Sequence, residues 1–450
     1  MTASVAEWLD DIRRILAEQP PGPVDDVGRR LVVDRLGRSG EAHRHRLRSG
    51  GATSKVDVAI ADIRVLCTSA LGHLDSTITA GRRADGLYHS YNRVSFPSDD
   101  SAHVDHLDAM LEGQVAVISS GALTSDETLD VIDALYTSDM YRADQDTFLL
   151  YPPVALRSFL YRNAIVGDAA DRIRRLADRH SGLDAIVATD VQGGLHFRPA
   201  VVNARALDRL LDDSDLAADE RATVAGIYED VFDHESFTGR SGRMHGYEGI
   251  GSIYWHMVAK LLLAAQEAYW VAVDQGEPDT TLVRLADAYR RIRAGLGYRK
   301  FPTEYGAVPT DCYSHTPAHA GARQPGMTGQ VKEEVLARFG ELGLHVTDGR
   351  LRLGPGLIEP HEVLRSQADD GSTPAELTVC GVPMSIETGA DDLVIVECAD
   401  GSIERIDGLD LTSRRSSDVF TRTGTVSQVR WIVGAGTMTR WRLLATTPTT

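Results

Sequence analysis

Positive charge is scarce in this sequence: 47 Lys and Arg stand against 65 Asp and Glu, for a net charge of −18. A general nucleic-acid partner is therefore disfavoured, because phosphate backbones need a basic face. The basic stretch His43-Arg44-His45-Arg46-Leu47-Arg48 is too short to reverse that balance and reads as a solvated loop. Cysteine is equally sparse. Cys67, Cys312, Cys380 and Cys398 form neither a C-x-x-C pair nor a zinc-like array, so reduced structural thiols and no metal are expected. Long apolar runs are missing; the longest, Val258 to Ala265, contains Lys260, and no membrane span is expected. The start, Met-Thr-Ala-Ser, has no signal-peptide pattern, which makes a cytoplasmic location the expectation. There is no G-x-S-x-G elbow, no phosphate-binding P-loop and no dinucleotide fingerprint after a strand, and no cofactor is expected.

What is present is ordinary for a soluble protein: 42% hydrophobic and 25% charged residues over 450 positions. That length suggests one large domain plus a smaller one. Before about Gly340 the apolar spacing is helical, at Val5–Leu16, Val56–Leu74, Val104–Ile118, Leu129–Leu135, Val154–Tyr161 and Ala169–Leu176. It recurs at Leu207–Leu211, Ala222–Val231, Ile253–Val271 and Thr281–Ile292. Thr124-Ser125-Asp126-Glu127 and Ser214-Asp215 are cap signals. After Leu344 short strands take over, at Leu351–Leu353, Leu377–Ile386, Leu393–Cys398, Ser402–Ile406 and Val426–Val433. Asp-Gly turns stand at Asp348-Gly349, Asp400-Gly401 and Asp407-Gly408. The expected architecture is mainly α: an α/α toroid of the six-hairpin type, complete or incomplete, with a small C-terminal antiparallel β-sandwich. The expected division is an N-terminal helical segment at 1–50, the toroid at 51–343 and the sandwich at 344–450.

Four stretches carry polar groups in unusual settings. Ser241 to His256 is a glycine-rich loop holding Tyr247 and Glu248 that runs through Tyr254 into a strongly apolar helix with His256 in its early turns. Glycines let backbone approach a ligand, and a helix N-terminus favours an anion; the plainer reading is a tight loop with Tyr254 and Trp255 in the core. Pro302 to Leu336 lacks regular periodicity and carries Glu304, Asp311, His315, His319, Arg323 and Thr328. Thr328-Gly329 and Arg323 suit a phosphate, although Thr328 also suits a plain helix cap. Ala84–Asn92 and Met140–Asp146 read equally well as a sugar-site lining or as buried connections. Glu235, at a helix end beside Asp233 and His234, invites an acid–base role but is as well explained by solvation.

In order and spacing these motifs resemble the C-terminal half of the cellobiose and chitobiose phosphorylases. Val104 to Ala122 is similar to a toroid-helix segment of that family, and Phe148 to Pro153 to its leucine-rich run ending in Pro-Pro. Gly251, Tyr254 and His256 align with a glycine-rich segment whose His binds phosphate. Thr328 and Gly329 align with a Thr-Gly pair that contacts phosphate. Phe339 to Ile358 resembles the junction into the C-terminal sandwich. The resemblance implies inverting cleavage of a β-linked glycoside with phosphate or water, with carbohydrate and inorganic phosphate as partners. It implies phosphate binding by His256, Thr328, Gly329 and Arg323, and substrate contacts from Tyr247, Tyr254, Asp311 and His319. The family's general acid lies in a D-W-N-D segment that this sequence lacks; Glu248 and Glu235 are the substitutes to consider.

Three readings stay open: a glycoside phosphorylase-like or hydrolase-like enzyme, a carbohydrate-binding or partner subunit that completes a split enzyme, and a non-catalytic scaffold. The second implies a homo-oligomer or a separate N-terminal subunit, and an exposed apolar patch near the N-terminus would mark it.

Overall fold

A computed structural model describes residues 1–50, 54–153, 162–232, 253–296, 330–357 and 375–445. The chain is mainly helical, with thirteen α-helices among these residues, and it forms two compact units. Of the described residues, 1–152 and those from 253 onward make one, and those between 153 and 232 make the other.

The first unit opens with α1 (Ala3–Glu18), α2 (Asp26–Arg48) and α3 (Ile60–Ala80), with α1 packed against both others. The basic stretch at His43–Arg48 is thus the end of a helix and not a loop. The Asp25 carboxylate accepts from Gly28 N at 2.7 Å to start α2, and the basic residues of its last turn suit the negative end of the helix dipole. His43 is buried, stacked on Trp8 at 4.7 Å. Next come the hairpin strands β1 (Arg93–Ser98) and β2 (Ser101–Asp105). The helix expected from Val104 onward is therefore shorter: Val104 pairs with Val94 in the hairpin, and α4 begins only at Leu111 (Leu111–Ser119). Helix α5 (Ser125–Thr137) starts on a full capping box from Thr124 and Glu127, and the two-residue strands β3 (Tyr141–Arg142) and β4 (Thr147–Phe148) follow.

The second unit contains α6 (Gly167–Ala177), a short 3₁₀ turn at Ser181–Ala185, the hairpin β5 (Val187–Thr189) and β6 (Leu195–Phe197), then α7 (Ala204–Asp212) and α8 (Ala218–Phe232). Its core is its own, built from Ile173, Leu183, Phe197, Leu207, Ile227 and Tyr228 among others. Asn163 clamps Phe197 from both sides, accepting from its N–H at 2.9 Å and donating to its carbonyl at 2.7 Å.

The first unit resumes with α9 (Trp255–Gln275), α10 (Asp279–Gly295) and α11 (Gln330–Glu341). Helix α9 is apolar on most of its circumference, and a helix of that kind must be surrounded. It packs against α4, α5, α10 and α11, so that Leu261, Leu262, Ala264 and Tyr269 lie in the centre of the main core. Gly340 marks how closely α11 approaches: a Cβ there would stand 2.2 Å from the Gln266 side-chain oxygen.

A second hydrophobic core follows. Strands β7 (Leu344–Thr347) and β8 (Arg350–Leu353) form a hairpin on a turn in which Asp348 and Gly349 both have positive φ. Strands β9 (Ala375–Val379), β10 (Val382–Thr388), β11 (Leu393–Cys398), β12 (Ile403–Asp407) and β13 (Val426–Val433) make one sheet, ordered β12-β11-β13-β10-β9. The single strand expected over Leu377–Ile386 is a hairpin, broken where Cys380 and Gly381 both take positive φ. The sheet is mixed rather than antiparallel throughout. Strand β13 enters between β10 and β11 after the crossover helix α12 (Ser413–Phe420), and so runs parallel to β10. Helix α13 (Ala435–Ala445) closes the chain's described part, with Trp441 buried beside Trp431, Met384 and Val396 in this core.

Candidate functional site

The start of α9 collects the polar groups that the main core tolerates. Tyr254 is the N-cap residue and offers no side-chain cap; Met257 N donates to Tyr254 O at 2.7 Å to open the helix. His256 follows within the first turn. Its Nε2 lies 3.2 Å from Glu333 Oε1, and the Tyr254 hydroxyl is 3.4 Å from its Nδ1. The pair is secluded, with the His256 and Glu333 side chains 13% and 7% exposed. Glu333 Oε2 is buried with no hydrogen-bond partner, an arrangement that native interiors mostly avoid.

This geometry settles which way the imidazole is used. A carboxylate accepts only, so His256 donates Nε2–H to Glu333, while Nδ1 accepts from the Tyr254 hydroxyl in the neutral ring and donates to it in the charged one. The row Tyr254–His256–Glu333 can therefore hold a proton or pass one along. Lys332 Nζ is 3.9 Å from Glu333 Oε1, although Lys332 itself is largely exposed. Lys260 and His256 act on a second carboxylate, Glu112 in α4. Burial raises the Glu112 pKa above the usual carboxylate range, and the charges of Lys260 and His256 pull it back only in part.

Of the residues singled out in the sequence, His256 and Tyr254 come together here. Glu248, Glu235, Tyr247, Asp311, His319, Arg323, Thr328 and Gly329 lie outside the described residues. Glu333 and Glu112 were not anticipated. The available signal was a carboxylate beside core positions: Glu112 stands among the buried Leu111, Gly113, Gln114 and Val115, and Glu333 is buried one residue after an exposed lysine.

The other two stretches are anchored in the core at Leu87, Tyr88 and Met140 and are otherwise half-buried or exposed. In Ala84–Asn92, Leu87 and Tyr88 are core residues, and the Gln114 amide clamps Tyr88, accepting from its N–H at 2.8 Å and donating to its carbonyl at 2.9 Å. In Met140–Asp146, Met140 is fully buried, the Tyr141 hydroxyl donates to Asp146 Oδ1 at 2.9 Å, and Arg142 pairs with Asp144 at 2.7 Å. Among the described residues no group of His, Cys, Asp and Glu is arranged to hold a metal ion, and no helix is long and apolar enough to cross a membrane.

Residues 156–235 match the family model of GH149 phosphorylase insertion domain 2. In this stretch the chain is similar to a glycoside phosphorylase. The matched residues fall within the span of the second unit. The match supports a GH149-type glycoside phosphorylase relationship and does not single out the cellobiose and chitobiose type. No curated protein matches the chain.

Proposed function

We propose that this chain is a glycoside phosphorylase-like protein that cleaves a β-linked glycoside with inversion, using inorganic phosphate. The observation that carries the reading is the match of residues 156–235 to a phosphorylase insertion domain. The cluster at the start of α9 is consistent with it. In such a reaction an acid protonates the leaving oxygen while phosphate attacks the anomeric carbon from the opposite face, giving an α-sugar 1-phosphate.

In this reading His256, anchored to Glu333 through Nε2–H, turns its Nδ1 side, beside the Tyr254 hydroxyl, toward phosphate or a sugar oxygen at the positive end of α9. Thr328, Gly329 and Arg323 join the phosphate site; Tyr247, Asp311 and His319 contact the sugar. Glu112 is the described carboxyl best suited to the acid's role, because burial disfavours its charged form and raises its pKa. Glu248 and Glu235 remain its rivals as acid. The resemblance to the cellobiose and chitobiose type, the α/α toroid, the C-terminal sandwich and the division near residues 50 and 343 belong to this proposal too. The change from helices to strands at Leu344 supports the last of these.

The test is the reverse reaction: release of inorganic phosphate from an α-sugar 1-phosphate in the presence of sugar acceptors. Turnover that falls at least tenfold in Glu112→Gln, with a raised KM for phosphate in His256→Ala, supports the reading. Neither turnover nor calorimetric phosphate binding in the unaltered protein, across a panel of sugars, sinks it.

A further inference from the structure

The β5–β6 hairpin of the second unit is fastened to the segment that precedes α6. Ile165 N donates to Leu195 O at 2.9 Å and the Asn163 amide brackets Phe197, so residues 163–165 run along β6. Between these two contacts stands His196. Its Nδ1 meets the carbonyl oxygen of Asn163, and its Nε2 lies 2.8 Å from Asp190 Oδ2, at the head of the hairpin turn. The turn presents that oxygen. Asp190 Oδ1 accepts from the N–H groups of Gln192 and Gly194, each at 2.8 Å, and Oδ2 is left for the ring. Gly194 keeps the contact open: a Cβ there would stand 2.6 Å from Asp190 Oδ2 and 3.2 Å from His196 Nε2.

Both atoms that face the ring are acceptors. A backbone carbonyl and a carboxylate cannot donate, whereas a neutral imidazole donates from one nitrogen and accepts at the other. The neutral ring therefore satisfies one contact and sets lone pair against lone pair at the other. The imidazolium satisfies both. The hydrogen bond to Asp190, and then that to the Asn163 carbonyl, raise the His196 pKa above the ordinary imidazole value, while burial opposes them. The basic groups around the hairpin are engaged elsewhere. Arg174 of α6 pairs with Asp171 at 3.0 Å and reaches Gly193 O at 3.5 Å, Arg198 donates to Asp184 O and Val187 O, and Arg162 donates to Phe232 O.

We infer that His196 is a proton-operated latch of the second unit: as an imidazolium it ties Asn163 to the Asp190 turn, and as a neutral ring it releases one of the two. A group favoured in its charged form by folding gives its full stabilisation below its unfolded pKa, about 6.5 for histidine, and loses it as pH rises through the folded value. Each unit between the two values makes opening of the latch about tenfold rarer at low pH.

The test uses the full chain, with the His196 ring followed by NMR titration. The Ile165, Gln192 and Gly194 amides are followed by hydrogen exchange, corrected for its intrinsic pH dependence. His196 should titrate above the unfolded value, and protection of the three amides should fall over the same range. His196→Gln, which has no titratable group, should remove that step and leave the helical circular dichroism unchanged. His180 lies between Asp215 and Glu220, at 3.3 and 3.0 Å, and its own titration is common to every variant. Asp190→Asn should reverse the effect. Its Oδ1 still closes the turn, but an amide N–H then faces Nε2, and a neutral ring that donates from Nδ1 fits both neighbours. The ring should then titrate below the unfolded value, with protection rising as pH rises. A wild-type His196 that titrates at or below the unfolded value overturns the inference. So does amide protection that ignores its titration, or an Asp190→Asn variant that keeps the wild-type sense.

Discussion

Glu341 shows how one buried carboxylate can organise a helix junction. It is 1% exposed, accepts from the Tyr289 hydroxyl at 2.8 Å and pairs with Arg293 at 3.0 Å and Arg338 at 2.9 Å. Its charge also drives the Tyr289 hydroxyl well above the ordinary phenol range, after burial itself. Removing Glu341 leaves the largely buried Arg293 and the buried Tyr289 hydroxyl without this partner. Glu341→Ala should cost roughly 3 kcal/mol, read as a lowered urea midpoint. His345 behaves in the opposite sense. It stacks on Trp270 at 4.1 Å, and burial lowers its pKa; Asp274, 3.6 Å away, opposes this only in part. The unfolded chain then takes up a proton near pH 6.5 that the folded chain refuses. Stability should fall as pH drops below that value and level off beneath the folded pKa. His345→Phe should flatten this part of the profile relative to the unaltered protein, measured as urea midpoint against pH.

Helix and strand boundaries follow local rules where those rules act alone. Thr124 caps α5 as its sequence signature says, donating its backbone N–H to the Glu127 carboxylate at 2.9 Å and accepting from Glu127 N at 3.2 Å. Thr124→Ala should cost about 1 kcal/mol, seen as a small fall in thermal midpoint with activity unchanged. Strands β11 and β13 occupy the spans expected for them from the sequence. Other elements escaped such reading. Helix α2 is hidden because its mean hydropathy is low and its charges crowd the sequence; Trp8, Glu7 and Asp26 of other turns and helices decide its order. The β9–β10 turn is built on Cys-Gly in place of the usual Asn-Gly or Asp-Gly. The parallel pair β10–β13 depends on strand order, which no local pattern encodes. At the candidate site, His256 was legible as a histidine at the head of an apolar helix. Glu333, 77 positions later, becomes its partner only through the packing of α11 on α9.

For the whole molecule, separate cores imply separable stability. The second unit holds its own cluster of buried residues. Leu207→Ala, at a site 1% exposed, should cost about 2–5 kcal/mol. Scanning calorimetry should show the loss in one transition while a second, belonging to the first unit, keeps its midpoint. A single transition shifted as a whole would argue that the units unfold together.

The order of events in folding is constrained by one small contact. Helix α9 packs on α4 and α5, yet the whole second unit is synthesised between them. Closing so long a loop would cost entropy in an unfolded chain. Within the second unit, however, Arg162 donates to the Phe232 carbonyl at 2.7 Å, bringing together the two ends of its continuous described stretch. Once that unit has folded, the stretch from 162 to 232 counts as a short link rather than a long coil. The late-arriving α9 then searches for its partners over a much reduced contour. A destabilised second unit should therefore slow the assembly of the first, even though the two do not share a core.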